Sequence, residues 1–322
     1  MIRTWLTYRS SNRFKLPRDI ARFAFKKHTK KKAIIHGNIT LLYKDLARRV
    51  FCLANGFNAI GLSKDDVILT LLPYGMNQIE INLACFESGT VLSALSTDID
   101  KKELLEFVNK VQPKLFIYDS SVSQHIAVLL KLEIPKLKLL EIGTSYEWFL
   151  NEYPDERNSS TINKNDTASI KLALQKQPIP YCNDTYIKNI QIANQNKKNG
   201  LQNKNITTFL CGIPITCEEN TLIFCNMLSG NTIIIPEEYT PNYLLKLVEK
   251  HNVNCLYVSS ELLSSIAESD KLESYNFKSL VSIIYNSEKL TEAQLTKTEK
   301  LFGPIIQHRD ALFKLGTSEI NC

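Results

Sequence analysis

The chain has 322 residues, 44% of them hydrophobic and 22% charged, with a net charge of +6. That length supports two domains or subdomains, and the composition is that of a globular chain, neither disordered nor membrane-like. No apolar run has the roughly 20 residues needed to cross a bilayer, so a soluble, cytoplasmic protein is expected.

The charge is uneven. Residues 1–32 carry eleven Lys/Arg against the single acid Asp19, a net +10 that leaves −4 for the rest of the chain. A basic, acid-poor start suits an organelle transit peptide or a nucleic-acid arm. The expectation preferred here is a solvated helix after Pro17 with Ile20, Phe23 and Ala24 as its apolar stripe. No nucleic-acid reader motif follows, so a nucleic-acid partner is not expected. The eight cysteines contain no C-x-x-C pair, and the five histidines show no ligand-like spacing with them. They read as reduced, mostly buried thiols without a zinc site.

In chain order, Leu46, Val50, Leu53, Ala54 and Phe57 recur at helical spacing, with Gly61 in the turn beyond. "VILTLLP" (67–73) predicts a buried strand stopped by Pro73, and "NQIEINLACFESG" (77–89) a helix ended by Gly89. Residues 90–96 predict a strand, 101–111 a helix and 114–119 a strand. Polar tracts at 151–168 and 194–205 read as surface loops, with a short helix before the second. Strands are then predicted in "ITTFLCGIP", "NTIIIP", "VNCLYVS", "SLVSIIYN" and "PIIQHR". Helices are predicted in "EENTLIFCNML", "PNYLLKLVEKHN", "SELLSSIAES" and "TEAQLTKTEKLFG". This alternation predicts an α/β fold of mostly parallel sheet flanked by helices. The expected division is a first subdomain at 1–150, a linker at 151–205 and a second subdomain at 206–322.

The ordered series resembles one family, the adenylate-forming (AMP-binding) enzymes, which include acyl-CoA synthetases. "AIIHGNITLLYKDL" resembles the family's opening strand pair and T-Y-x-E-L helix start, with Tyr43 and Leu46 matching, Asp45 for the glutamate and Leu42 for the capping threonine. Residues 61–96 are similar to its G-V-x-x-G-D-x-V…L-P-N-S…A-x-x-A-G-A-V run, and "FGPIIQHRDALFKLGTSEI" resembles the segment ending in Y-G-x-T-E. The resemblance covers roughly residues 16–320 and implies the two-subdomain α/β fold of the large domain of acyl-CoA synthetases.

Where the family has D-x-A leading into the phosphate loop T-S-G-T-T-G-x-P-K-G, this chain keeps Asp166, Ala168 and Pro180 in frame. The loop itself becomes Ala173, Leu174, Gln175, Lys176, Gln177 and Pro178, with Tyr181 on the lysine. Glycines let several backbone N–H groups surround a phosphate, and the lysine adds charge. Pro178 has no N–H, and Leu174 and Gln175 crowd the approach. The loss of two or three charge-assisted hydrogen bonds, about 1.5–3 kcal/mol each, weakens triphosphate binding on the order of a thousand-fold. A strand near 167–173 and a helix starting around 183–185 are expected to flank this stretch.

By the same resemblance, Cys217 stands on a histidine near the acyl pocket, beside which Tyr285 also falls. Asn286 and Ser287 replace small residues near the adenine, while Glu288 and Leu290 fit. Gly316, Thr317, Ser318 and Glu319 fit the terminal motif, which implies nucleotide contact, candidate catalytic roles for Ser318 and Glu319, and weak Mg binding by Glu319. ATP or AMP and Mg are cofactors by resemblance alone, and a small-molecule acid or adenylate is the implied partner. The family's small C-terminal domain is expected to be absent, since the sequence ends at Cys322. Three readings follow: a degenerate ligase that is inactive alone, a ligand- or partner-binding pseudoenzyme, and an acid–thiol ligase half completed by a separate domain.

Overall fold

The computed structural model describes residues 14–73, 75–157, 159–172, 177–195, 206–286 and 289–312. The first element is helix α1 (Pro17–Lys27). Its expected apolar stripe packs in the core, with Ile20 and Ala24 buried and Phe23 against them, but the helix is less solvated than its charge suggested, since Pro17, Ala21 and Phe25 are buried too. Its arginines are drawn inward as well: Arg22 pairs with the buried Glu87 at 2.5 Å, and Arg18 donates to the Ser160 carbonyl at 2.8 Å.

The hairpin β1 (Lys32–His36) and β2 (Ile39–Leu42) leads into α2 (Tyr43–Ala59). Leu42 supplies no capping side chain, but its amide donates to Asp45 Oδ2 at 3.1 Å, so half of a capping box survives. β3 (Val67–Leu71), α3 (Met76–Ser88), β4 (Val91–Leu95), α4 (Lys101–Val111) and β5 (Leu115–Tyr118) follow the predicted alternation. Gly89 ends α3 with φ 83°, a left-handed conformation that favours glycine. Residues 120–150, which carried no prediction, form α5 (Ser120–Glu133), β6 (Lys138–Glu141) and most of α6 (Thr144–Glu152), whose last two residues lie in the tract expected as loop.

The glycine-poor stretch forms a hairpin. β7 (Thr167–Leu172) and α7 (Asn183–Gln195) stand where a strand and a helix were expected, but β8 (Pro178–Cys182) lies between them, antiparallel to β7. Pro178 and Pro180 are tolerated because β8 is an edge strand. The polar tract therefore ends at Asp166, not 168. The second half contains β9 (Thr208–Gly212), α8 (Asn220–Ser229), β10 (Thr232–Ile235), α9 (Pro241–His251), β11 (Cys255–Ser259) and α10 (Ser260–Ala267). It ends with β12 (Ser282–Asn286), α11 (Glu292–Phe302), β13 (Ile306–His308) and the short α12 (Arg309–Leu312).

Two sheets result. One has the order β13-β12-β11-β9-β10-β1-β2 and the other β6-β5-β3-β4-β7-β8; each is parallel except for one antiparallel strand at one edge. The sheets interleave along the chain. Residues 32–42 join the sheet otherwise built from 208–308, with Ile34 beside Ile233, an exchange that the expected subdomain boundaries do not include.

A large core cluster spans both sheets through the helices between them, with Phe57, Phe86, Tyr186 and Phe224 among its members. Two further clusters cover the outer faces. α3 runs through the large core with its polar side chains buried. They are matched: Arg49 pairs with Glu80 at 2.5 Å and with Glu147 at 2.6 Å, while Tyr146 Oη donates to Glu80 at 2.9 Å. Thr70, Gln78, Asn82 and Asn220 form a buried hydrogen-bonded chain from β3 through α3 to α8, with steps of 3.0, 2.5 and 2.8 Å.

Candidate functional site: the cleft between the sheets

In open α/β sheets, ligands bind outside the carboxyl ends of the strands. Here those ends bring together Lys171 of β7, Tyr181 of β8, the turn after β9 and Arg309 just past β13. That turn runs into α8 with two acids, Glu218 and Glu219, ahead of an otherwise apolar helix.

Glu218 joins the two sheets. One carboxylate oxygen accepts from Lys171 Nζ and the other from Arg309 Nη1 at 2.8 Å. Burial alone pushes the Glu218 carboxyl up, but Arg309 and Lys171 outweigh this and hold it below its ordinary value. Glu219 points deeper. It accepts from the Thr216 amide at 3.0 Å, the Thr216 hydroxyl at 2.5 Å and Tyr257 Oη at 3.2 Å, and lies 3.7 Å from Arg309. Its burial raises its carboxyl above the usual range. Tyr181, on the position resembling the family's lysine, is half-buried; burial, then the Glu218 charge, raises its phenol.

Cys217, beside these acids, is buried among the carbonyls of Leu92 and Ile170, and burial pushes its thiol up to about 11. A thiol so placed is a poor nucleophile at neutral pH. Tyr186 Oη fixes the turn by donating to the Cys217 carbonyl at 2.8 Å, and lies 2.6 Å from Ser169 Oγ.

The two expected acyl-pocket residues pack in different core clusters. Cys217 belongs to the core between the sheets, whereas Tyr285 belongs to the outer cluster and packs edge-on against His308 at 5.0 Å. Asn286 ends β12, in register with Ser259. Gln177 is exposed and accepts from Lys110 Nζ at 3.2 Å, and Pro178 and Pro180 lie in β8. Leu290 packs against the outer core. Residues 173–176, Ser287, Glu288, Gly316, Thr317, Ser318, Glu319 and Cys322 lie outside the described residues.

Two open spaces lie at the strand ends among the described residues. A cavity of about 30 Å3 between Gln78, Thr97, Pro214 and Thr216 has room for one or two waters. A depression of about 420 Å3 lies over the ends of β9 and β11, between Gly212, Tyr239, Ser259 and Ser265. The charged residue among those lining it is Glu261, whose carboxyl is held low by its own backbone amide and Ser259. An acid there repels phosphate, and the two cations of the cleft, Lys171 and Arg309, are both committed to Glu218. Of the described residues lining the cleft, Lys171 and Arg309 are thus held by an internal acid. Among all the described residues no cluster of three or more His, Cys, Asp or Glu is placed to hold a metal ion.

Sequence reasoning missed Lys171, Glu218, Arg309 and Tyr257. The available signal was the adjacent acid pair at the head of an apolar helix.

Comparison with known proteins fits this architecture. The AMP-binding enzyme family model matches residues 21–178. Probable acyl-activating enzyme 21 of Arabidopsis thaliana is 23% identical over 84% of this chain and 52% of its own length. A feruloyl-CoA synthase of Amycolatopsis sp. is 21% identical over 78% of this chain and 50% of its own. The long-chain-fatty-acid-CoA ligase FadD1 of Archaeoglobus fulgidus superposes with a TM-score of 0.79 at 15% identity, covering 91% of this chain and 62% of that structure. Two interleaved α/β sheets with a cleft at their strand ends match the fold of the large domain of adenylate-forming enzymes. The chain belongs to that AMP-binding superfamily, on its acyl-CoA-ligase-like side, and spans about half the length of the curated relatives it matches.

Proposed function

We propose that this chain is a degenerate acyl-CoA-ligase-like protein that does not form an acyl-adenylate by itself and uses the scaffold for binding. The observation that carries this reading is the Lys171–Glu218–Arg309 bridge across the cleft. It commits to an internal acid the cations that an anionic substrate would need. The glycine-free loop sequence 173–178 and Tyr181 on the position resembling the lysine point the same way.

A triphosphate has no receiving loop here, so its extra phosphates add desolvation cost without matching contacts. Any nucleotide contact kept through Gly316, Thr317, Ser318, Glu319, Asn286 or Ser287 therefore favours AMP or an acyl-adenylate over ATP. Glu319 bears on such binding only when magnesium is supplied.

The test is pyrophosphate–ATP exchange by the purified chain with a panel of aromatic and aliphatic carboxylic acids, alongside calorimetric titration with AMP and ATP. No exchange is expected, and any heat of binding should be larger for AMP. Sustained acid-dependent exchange, or tight magnesium-dependent ATP binding, would overturn the reading.

A further inference from the structure

At the opposite edge of the six-stranded sheet from the cleft, the outermost strand β6 and helix α6 enclose a groove of about 570 Å3. That volume is within the range of small-molecule pockets, about 300–1,000 Å3. Its floor is apolar, formed by Ile60, Leu115, Leu140 and Phe149. Trp148 stands at its wall 63% exposed, and Leu139 on the edge strand is 38% exposed. A large aromatic left in water beside an apolar groove is the kind of exposed surface that marks a binding site.

The polar groups are few. Thr144 and Ser145 open α6, and Lys138 is the charged residue lining the groove. Alternation along β6 puts Lys138 on the same face as Leu140, which packs in the core with Phe149 of α6. The lysine stem therefore lies over the groove floor while its ammonium reaches water. The side chain is exposed and, among the described residues, makes no ion pair. Lys136 adds positive charge near this end of β6.

We infer that this groove binds an amphipathic monocarboxylate, its aromatic or aliphatic body on the floor against Trp148 and its carboxylate on Lys138. One cation selects one anion, and the apolar floor selects the body. The groove shares no residue with the cleft, so the inference stands or falls separately from the proposed function.

The sequence contains two tryptophans, Trp5 and Trp148, so Trp5→Phe leaves Trp148 as the only indole reporter. Titration of that variant with 2-naphthoate should change Trp148 fluorescence saturably, and decanoate should compete. The uncharged 2-naphthalenemethanol should bind about tenfold more weakly, and Lys138→Ala should raise the naphthoate Kd by about the same factor. Because Lys138 is exposed, the variant should keep its circular dichroism and melting temperature. Three results would each overturn the inference: no saturable change, equal affinity for acid and alcohol, or a Kd unmoved by Lys138→Ala. Saturation by an extended acidic peptide but not by naphthoate would likewise overturn it, in favour of strand addition to β6.

Discussion

Replacing Glu218 by Gln keeps the shape of the cleft bridge and removes its charge. The carboxylate serves two cations, and hydrogen bonds to charged groups contribute about 1.5–3 kcal/mol each. The side chains of Lys171, Glu218 and Arg309 are 38%, 27% and 23% exposed, so solvent screening roughly halves the sum. Glutamine also retains one acceptor. A loss of about 2 kcal/mol at pH 7 is expected, or about 4 °C in melting temperature for a chain of this size. The pH dependence has a fixed sign. Glu218 has a folded-state pKa held below its ordinary 4.5. Its stabilisation is therefore full above about pH 4.5 and is lost as pH falls through the folded value. The gap between wild type and Glu218→Gln should close in acid. Glu219, whose burial raises its pKa, has the opposite tendency, but it is present in both proteins and to first order drops out of the difference. Thermal melts of both proteins between pH 3.5 and 7.5 measure the gap. Equal melting temperatures at pH 7, or a gap that widens in acid, would refute the reasoning.

Arg49→Met should cost about 3–5 kcal/mol in urea unfolding, because it leaves the fully buried Glu80 with Tyr146 alone from its present network. That deficit should shrink as pH falls and Glu80 takes up a proton, and a deficit independent of pH would contradict the assignment. The seven described cysteines are buried, with Cys217 pushed up to about 11 and Cys85, Cys225 and Cys255 to about 12. They should resist a thiol reagent at pH 8 until urea is added, and rapid labelling mapped to Cys217 by mass spectrometry would show the site to be open.

The strands and helices whose residues repeat cleanly were legible. α3 could be read because its recurring apolar residues end in a glycine, and β9 to β12 because each strand is a short, mostly apolar run bounded by turn residues. β8 was not, since "PIPYC" carries two prolines, and only its edge position makes them acceptable. β6 has four residues, too few for a period to show. The charge of α1 suggested a solvated surface, but the partner that draws Arg22 inward is 65 residues away. The cleft bridge was hidden for the same reason. Glu218 meets Lys171 across 47 residues and Arg309 across 91, and no local pattern records such a pairing. The loop substitutions, in contrast, were visible because neighbouring residues carry them.

The exchange of β1 and β2 into the distant sheet sets an order of assembly during synthesis. Ile34 leaves the ribosome about 200 residues before Ile233, its neighbour in β10. At about 5–20 residues per second, the hairpin waits some 10–40 s for that partner. During this time residues 67–182 can build the six-stranded sheet, while the buried face of the hairpin stays uncovered. The nascent chain thus carries an unpaired strand edge through about 200 residues of synthesis, and that interval is where a chaperone would meet it.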